Sequence, residues 1–394
     1  MLSKKWAFGL GVLSLSTACV MADSEEGLND NQSSSSKRVG ELPSGVITPA
    51  VGPMVNLAPS SRPSVFTTAD FIYWKAQQDG LEYAVNGVIG FEAPNADTGV
   101  FYSVEPDHGK VKVAGRPWEP GFKLGIGLEF QHDGWDLFTQ WTWLNPTTHN
   151  KNVSNLGSSE YANNSAIPSR TGLLFQKVGN CDKVSGAWTL HYNVMDLELG
   201  RNFFLSRYMT LRPHVGLKTA WVNQKFNTAF SLSPDAELVF LVDSLQYSGG
   251  ALQSRQSQES WGLGIRAGLD PVWRFSRNWG LYGNIAASAM YQYYSDTLEM
   301  KLQNTTFLNE GQGLGGLRSF DVINANRSQH VVTPVLDLGL GIEYMTWFCD
   351  QAYMVELKAG WEEQIWFNTN RFLDAFSTGN LTLQGFTLKA GFHF

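Results

Sequence analysis

From residue 69 to the C-terminus, apolar and polar positions alternate with a period of two. Phe122, Leu124, Ile126, Leu128 and Phe130 alternate with Lys123, Gly125, Gly127 and Glu129. After His132–Asp133–Gly134 the series resumes as Trp135, Leu137, Thr139, Trp141 and Trp143. Successive side chains of a strand point to opposite faces, so this pattern predicts a β-hairpin with one apolar and one polar or small face. It returns at 209–221, 261–270, 279–292, 332–344, 353–362 and 385–394. In one stretch the phase breaks. Trp188, Leu190, Tyr192 and Val194 give way to Met195, Leu197 and Leu199, which predicts a β-bulge.

Connections alternate in length. Those around 132–134, 205–207, 276–278 and 346–351 are tight, whereas 77–119, 145–185, 225–258 and 296–328 are long, polar and rich in Gly, Asn and Ser. Long loops gathered at one end are unusual in a soluble sandwich. They are the plan of a membrane barrel with short periplasmic turns and long extracellular loops. Residues 69–76, the tight hairpins and a last strand from about 380 predict ten strands, to which 77–119 could add two. The expected fold is an all-β transmembrane antiparallel β-barrel of about 10–12 strands. Trp74, Trp143, Trp221, Trp261, Trp279, Tyr291, Tyr344, Tyr353 and Trp361 stand toward the ends of apolar faces. Such rings favour the headgroup level and would form two girdles.

The ends of the chain carry separate signals. Lys4 and Lys5 precede an apolar run from Trp6 to Val20 and the small residue Ala22, which predicts a signal peptide over 1–22. That run falls short of the roughly 18–20 residues a spanning helix needs. Residues 23–68 hold a serine run and Pro43, Pro49, Pro53, Pro59 and Pro63, and read as a flexible periplasmic lead before a barrel at 69–394. At the other end Phe386, Leu388, Phe392 and Phe394 share one face of an amphipathic terminal strand. A strand of that kind ending in Phe resembles the assembly signal read by the barrel assembly machinery.

Composition narrows the function. The chain of 394 residues is 43% hydrophobic and 13% aromatic but only 16% charged, against a usual charged share of about 25%. It has 3 cysteines and a formal charge of −7, which becomes −9 without Lys4 and Lys5. A disordered chain, a disulfide scaffold and a nucleic-acid binder are all excluded. There is no G-x-S-x-G elbow and no H-E-x-x-H helix, and the seven histidines are scattered. No catalytic, cofactor or metal site is implied, and the chain is read as a non-enzyme.

The inward polar face is the informative set. Gln140, Arg212, His214, Lys218, Arg266, Asp337, Glu356, Lys358 and Lys389 are the candidate pore-lining residues. Charges around a wet lumen set solute selectivity, while in a narrow barrel they can instead pair and brace a filled interior. The mid-depth excess of Lys and Arg predicts a mild preference for anions. Cys181 is expected in an external loop and Cys349 in a periplasmic turn, too far apart to bridge. Either could link neighbouring molecules of a homo-oligomer.

Specific strings then match a known family. Asp70–Phe71–Ile72–Tyr73–Trp74–Lys75–Ala76 with Asp79–Gly80–Leu81–Glu82–Tyr83–Ala84 resembles the opening of the Legionella-type pore-forming major outer membrane proteins, found also in chlamydia-related bacteria. His132–Asp133–Gly134–Trp135–Asp136, Trp141–Thr142–Trp143, Asp196–Leu197–Glu198–Leu199–Gly200–Arg201 and Leu211–Arg212–Pro213–His214 resemble later blocks. The resemblance covers about 70–394 and implies an outer-membrane, porin-like channel for passive diffusion of small hydrophilic solutes or ions. The alternative is a non-conducting structural or adhesive barrel acting through its loops, with a membrane-barrel hydrolase third.

Overall fold

A computed structural model describes residues 64–90, 105–115, 118–130, 134–149, 153–154, 165–168, 175–178, 181–240, 246–308, 317–349, 353–373 and 379–394. The expected signal peptide and nearly all of the lead lie outside these residues. The first strand begins at Ser64, five residues before the expected start of the barrel.

Ten antiparallel strands close into a ring. They are β1 (Ser64–Gln78), β2 (Trp118–Glu129), β3 (Trp135–Leu144), β4 (Cys181–Arg201), β5 (Met209–Phe240), β6 (Gln246–Arg274), β7 (Trp279–Leu308), β8 (Leu317–Phe348), β9 (Tyr353–Trp366) and β10 (Leu381–His393). Each pairs with the next. β10 returns to β1 in unbroken register from Phe66↔His393 to Gln78↔Leu381. The segment that could have supplied two further barrel strands forms a hairpin, Glu82–Gly90 with Glu105–Val113, and its first strand also pairs with Ser165–Pro168. It stands outside the ring, so the barrel has ten strands.

The outward face carries the membrane signature. Trp261 and Trp273 bound the apolar face of β6, and Trp279 and Tyr291 that of β7. Twelve positions at about 3.3 Å rise, tilted by about 40°, span roughly 30 Å along the barrel axis, the thickness of a bilayer core. Between these limits Leu263, Ile265, Leu281 and Ile285 are exposed. Aromatic rings touch around the girdle: Trp118 stacks on Tyr73 at 5.5 Å and meets Trp361 edge-on at 5.9 Å. Trp74 is a correction. It points inward with no exposed surface, and its neighbour Tyr73 takes the girdle position.

Two further expectations change. β5, β6, β7 and β8 run for 32, 29, 30 and 32 residues, so much of the expected long loops is strand. The period of two continues there through polar residues: Leu252, Ser254, Gln256, Gln258 and Ser260 are buried, while Arg255 and Glu259 between them are exposed. The expected bulge near Val194 is also absent, since the β4–β5 ladder is unbroken from Lys183 to Gly200. Trp188, Leu190, Tyr192 and Val194 face inward and Met195, Leu197 and Leu199 face outward on one regular strand. The apolar residues change sides; the backbone does not.

Candidate functional site

At the tight-turn end, where the outward face is apolar, the inward positions of the strands are polar and charged. They surround a cavity of roughly 300 Å³ lined by ten carboxylates and six Lys or Arg side chains. Ion pairs cross it from wall to wall. Arg212 holds Asp136 at 2.5 Å, Asp270 at 2.8 Å and Glu198 at 3.3 Å. Arg266 holds Glu198 at 3.0 Å and also Asp337. Lys218, with no exposed surface, reaches Asp196 at 3.0 Å and Asp337 at 3.4 Å. Lys358 bridges Glu356 at 2.9 Å and Glu343 at 3.2 Å, and Lys123 pairs with Glu362. Room for Tyr282 in this crowd comes from glycines: a Cβ at Gly360 would lie 2.4 Å from its hydroxyl oxygen.

Glu198, His214 and Asp270 lie close enough together to raise the question of a metal ion. Their arrangement answers it. Nε2 of His214 faces Glu198 at 3.6 Å and Nδ1 faces Asp270 at 3.4 Å, so the imidazole stands between the acids instead of beside them. Arg212 is bound to both acids and Arg266 to Glu198. Two guanidinium groups already supply the positive charge that a metal would bring.

Above the charges the interior turns apolar. Ile72, Trp74, Leu190, Tyr192 and Trp366 have no exposed surface and form a layer across the barrel. The two layers meet directly: Lys123 Nζ lies 4.8 Å from the centre of the Trp74 ring, and Lys218 Nζ 5.9 Å from that of Trp366. Over this layer a short strap, residues 367–372 between β9 and β10, crosses the lumen. Gln258 on β6 donates to the Thr369 carbonyl at 2.9 Å and accepts from the Arg371 N–H at 2.8 Å. Phe372 packs on Phe226 of β5, and Asn370 donates to the Asp79 carbonyl just after β1. β1 and β6 stand opposite each other in a ten-strand ring. A chain of amides supports the strap, with Trp188 donating to Gln224 at 3.0 Å and Gln224 to Gln78 at 3.1 Å.

The structure brings the candidate lining residues to the inward face. Arg212, His214, Lys218, Arg266 and Asp337 belong to one ion-pair network, and Glu356 and Lys358 to a second. Gln140 donates to Asp70 at 3.2 Å, and Lys389 Nζ lies over the Phe138 ring at 5.4 Å. The sequence reading missed Asp70, Lys123, Asp196, Glu198 and Glu362, whose parity in their strands is the signal that places them inside. With them counted, six Lys or Arg meet six acids and the expected excess of Lys and Arg disappears; Glu129, Asp136, Asp270 and Glu343 nearer the turns make the cavity as a whole acidic. Of the terminal-strand residues, Phe386, Leu388 and Phe394 are exposed on the outward face. Cys181 is buried at the start of β4, not exposed in an external loop, while Cys349 is exposed in the turn after β8. They sit at opposite ends of the barrel. Burial withdraws Cys181 as a link between molecules.

A closed antiparallel ring with a lipid-facing apolar band and a charged interior is an integral outer-membrane β-barrel. The chain belongs to the family of the Legionella pneumophila major outer membrane protein precursor, whose pattern matches residues 57–394. No curated protein matches it. Among solved structures, the Pseudomonas putida toluene transporter TodX is 11% identical, with 87% of this chain and 91% of that one covered and a TM-score of 0.25. A Pseudomonas aeruginosa FadL homologue is 8% identical, with coverage of 85% and 90% and a TM-score of 0.22. The outer membrane channel DcaP of Acinetobacter baumannii is 9% identical, with coverage of 84% and 96% and a TM-score of 0.15.

Proposed function

We propose that the protein is a channel for passive diffusion of small hydrophilic solutes, with its lumen closed in the conformation described. The observation that carries this reading is the charged, acid-rich cavity inside a closed membrane barrel, since an acid-rich interior costs free energy that a purely structural core would not incur. Conduction requires the strap and the apolar layer beneath it to move aside. Passing solutes then meet ten carboxylates against six Lys or Arg, which favours cations over anions. A non-conducting barrel is the second reading, favoured by the unexposed apolar layer across the lumen.

Planar-bilayer recording on the refolded protein separates the two. The channel reading expects discrete steps with a cation-selective reversal potential, more frequent in Gln258→Ala, where the strap loses its anchor on β6. Silence from folded wild type and folded Gln258→Ala alike would establish the braced barrel.

A further inference from the structure

The ion pairs leave part of the cavity wall unused. Thr68 and Asp70 on β1 and Asp337 on β8 line the cavity with 6%, 4% and 3% of their surface exposed. Oγ1 of Thr68, Oδ1 of Asp70 and Oδ1 of Asp337 are buried and have no hydrogen-bond partner. Asp70 accepts only from Gln140, through its other oxygen. Its cross-strand neighbours Lys123 and Lys389 are committed elsewhere, to Glu362 and to the face of Phe138. Asp337 takes both Arg266 and Lys218 on Oδ2, leaving Oδ1 free. Counting Lys218 behind the wall, seven cations face ten acids. Unpaired acceptors and uncompensated charge, both buried, are the two features that a donor-rich cation would satisfy at once.

The arrangement selects among cations. A metal ion needs oxygens converging at about 2.0–2.6 Å, and these acceptors are divided between β1 and β8, three strands apart around the ring. The closest grouping of acids and histidine is already held by two guanidinium groups. The cavity is closed above by Trp74, Tyr192 and Trp366, while Glu129 and His393 line its tight-turn end. With that layer above it, a ligand would reach the pocket from the tight-turn end, the periplasmic side in outer-membrane barrels. We infer that it is a binding site for a small organic cation with N–H donors at both ends, of the aliphatic diamine class, with Thr68 and Asp70 receiving one end and Asp337 the other. The site stands whether or not the barrel conducts.

Calorimetric titration of the detergent-folded protein with putrescine tests this without any conductance readout. Saturable one-to-one binding is expected, at least tenfold weaker in Asp70→Asn and several-fold weaker in Thr68→Val. Asp70→Asn keeps an oxygen for Gln140, and Thr68→Val removes no charge, so one variant remains informative if the other fails to fold. Magnesium chloride at matched ionic strength should neither saturate nor compete. No putrescine binding to folded wild type overturns the inference. So does competition by magnesium at equal affinity, which would make the cavity an inorganic counter-ion site, or binding unchanged in both variants.

Discussion

The lower and upper halves of the same strands follow opposite rules. Below the Trp221–Trp261 level, β5 and β6 turn Leu217, Leu263 and Ile265 outward and Lys218, His214 and Arg266 inward. Above it they turn Lys225, Arg255 and Glu259 outward, and Val222, Phe226, Phe230 and Leu252 inward. The backbone register is continuous through the boundary. What changes is the medium outside. Where lipid surrounds the barrel, apolar side chains are placed against it and the interior carries the polar groups. Where water surrounds the barrel, it folds as a soluble β-protein does and buries an apolar core. One strand thus belongs to two kinds of protein, and the inversion falls at the girdle.

Breaking the upper core should have the largest effect. Trp188→Ala empties a fully buried site and is expected to cost roughly 3–5 kcal/mol, while leaving the lower barrel in the membrane. Thermal melts should show the long hairpins unfolding separately from the spanning region. A single unchanged transition would mean the halves are not independent.

Breaking the lower network should come next. Lys218→Ala leaves Asp196 without its buried cation and Asp337 with Arg266 alone, at roughly 3–5 kcal/mol, partly relieved by water entering the cavity. Lys218→Met with Asp196→Leu should recover most of that loss, and urea titration of refolded protein compares them. No recovery would mean the network is needed as a unit.

Exchanging outward residues sharpens the contrast. Leu217→Lys places a charge against lipid, at roughly 2–4 kcal/mol near mid-depth. Lys225→Leu, above the girdle, should stay within about 0.5 kcal/mol. Equal costs would move the membrane boundary.

The smallest effect concerns Asp296, in the water-surrounded extension of β7. Burial pushes its carboxyl up to about 6 even though Arg327 beside it pulls the other way. The folded state therefore binds this proton more tightly than the unfolded chain. Its charged form is a burden above pH 6 that is lifted as the pH falls from about 6 toward 4. Wild type minus Asp296→Asn should show stability rising over that window, and a flat difference would refute the assignment.

Much of this was legible from alternation alone. The ten ring strands, the four tight turns and the outward girdle follow from period two and turn spacing. The inversion was visible as the break between Val194 and Met195, yet a phase break has two physical causes, an extra residue or a change of medium, and pattern alone does not separate them. The β6 extension stayed hidden because Ser254, Gln256, Gln258 and Ser260 fill its inward positions, while in β5 and β7 the inward Phe226, Phe230, Leu298, Met300 and Leu302 stand in stretches whose overall composition is polar. The strap was beyond reach for another reason. Gln258 and Thr369 are 111 residues apart, and nothing local in 367–372 marks a segment that will cross a lumen.

The seam between β1 and β10 bears on how the barrel comes into being. Val65 and Phe394 exchange both of their backbone hydrogen bonds, N–H to carbonyl at 3.1 and 3.0 Å. Until that pair forms, the sheet has two open edges, each a template for another strand. Closing so long a loop costs only about 5 kcal/mol of chain entropy beyond a constant, because the penalty grows with the logarithm of length. The obstacle is one of order in time: no growing chain can complete the ring strand by strand, since the first strand must wait for the last. Folding has to follow synthesis and export, with the N-terminal edge shielded meanwhile.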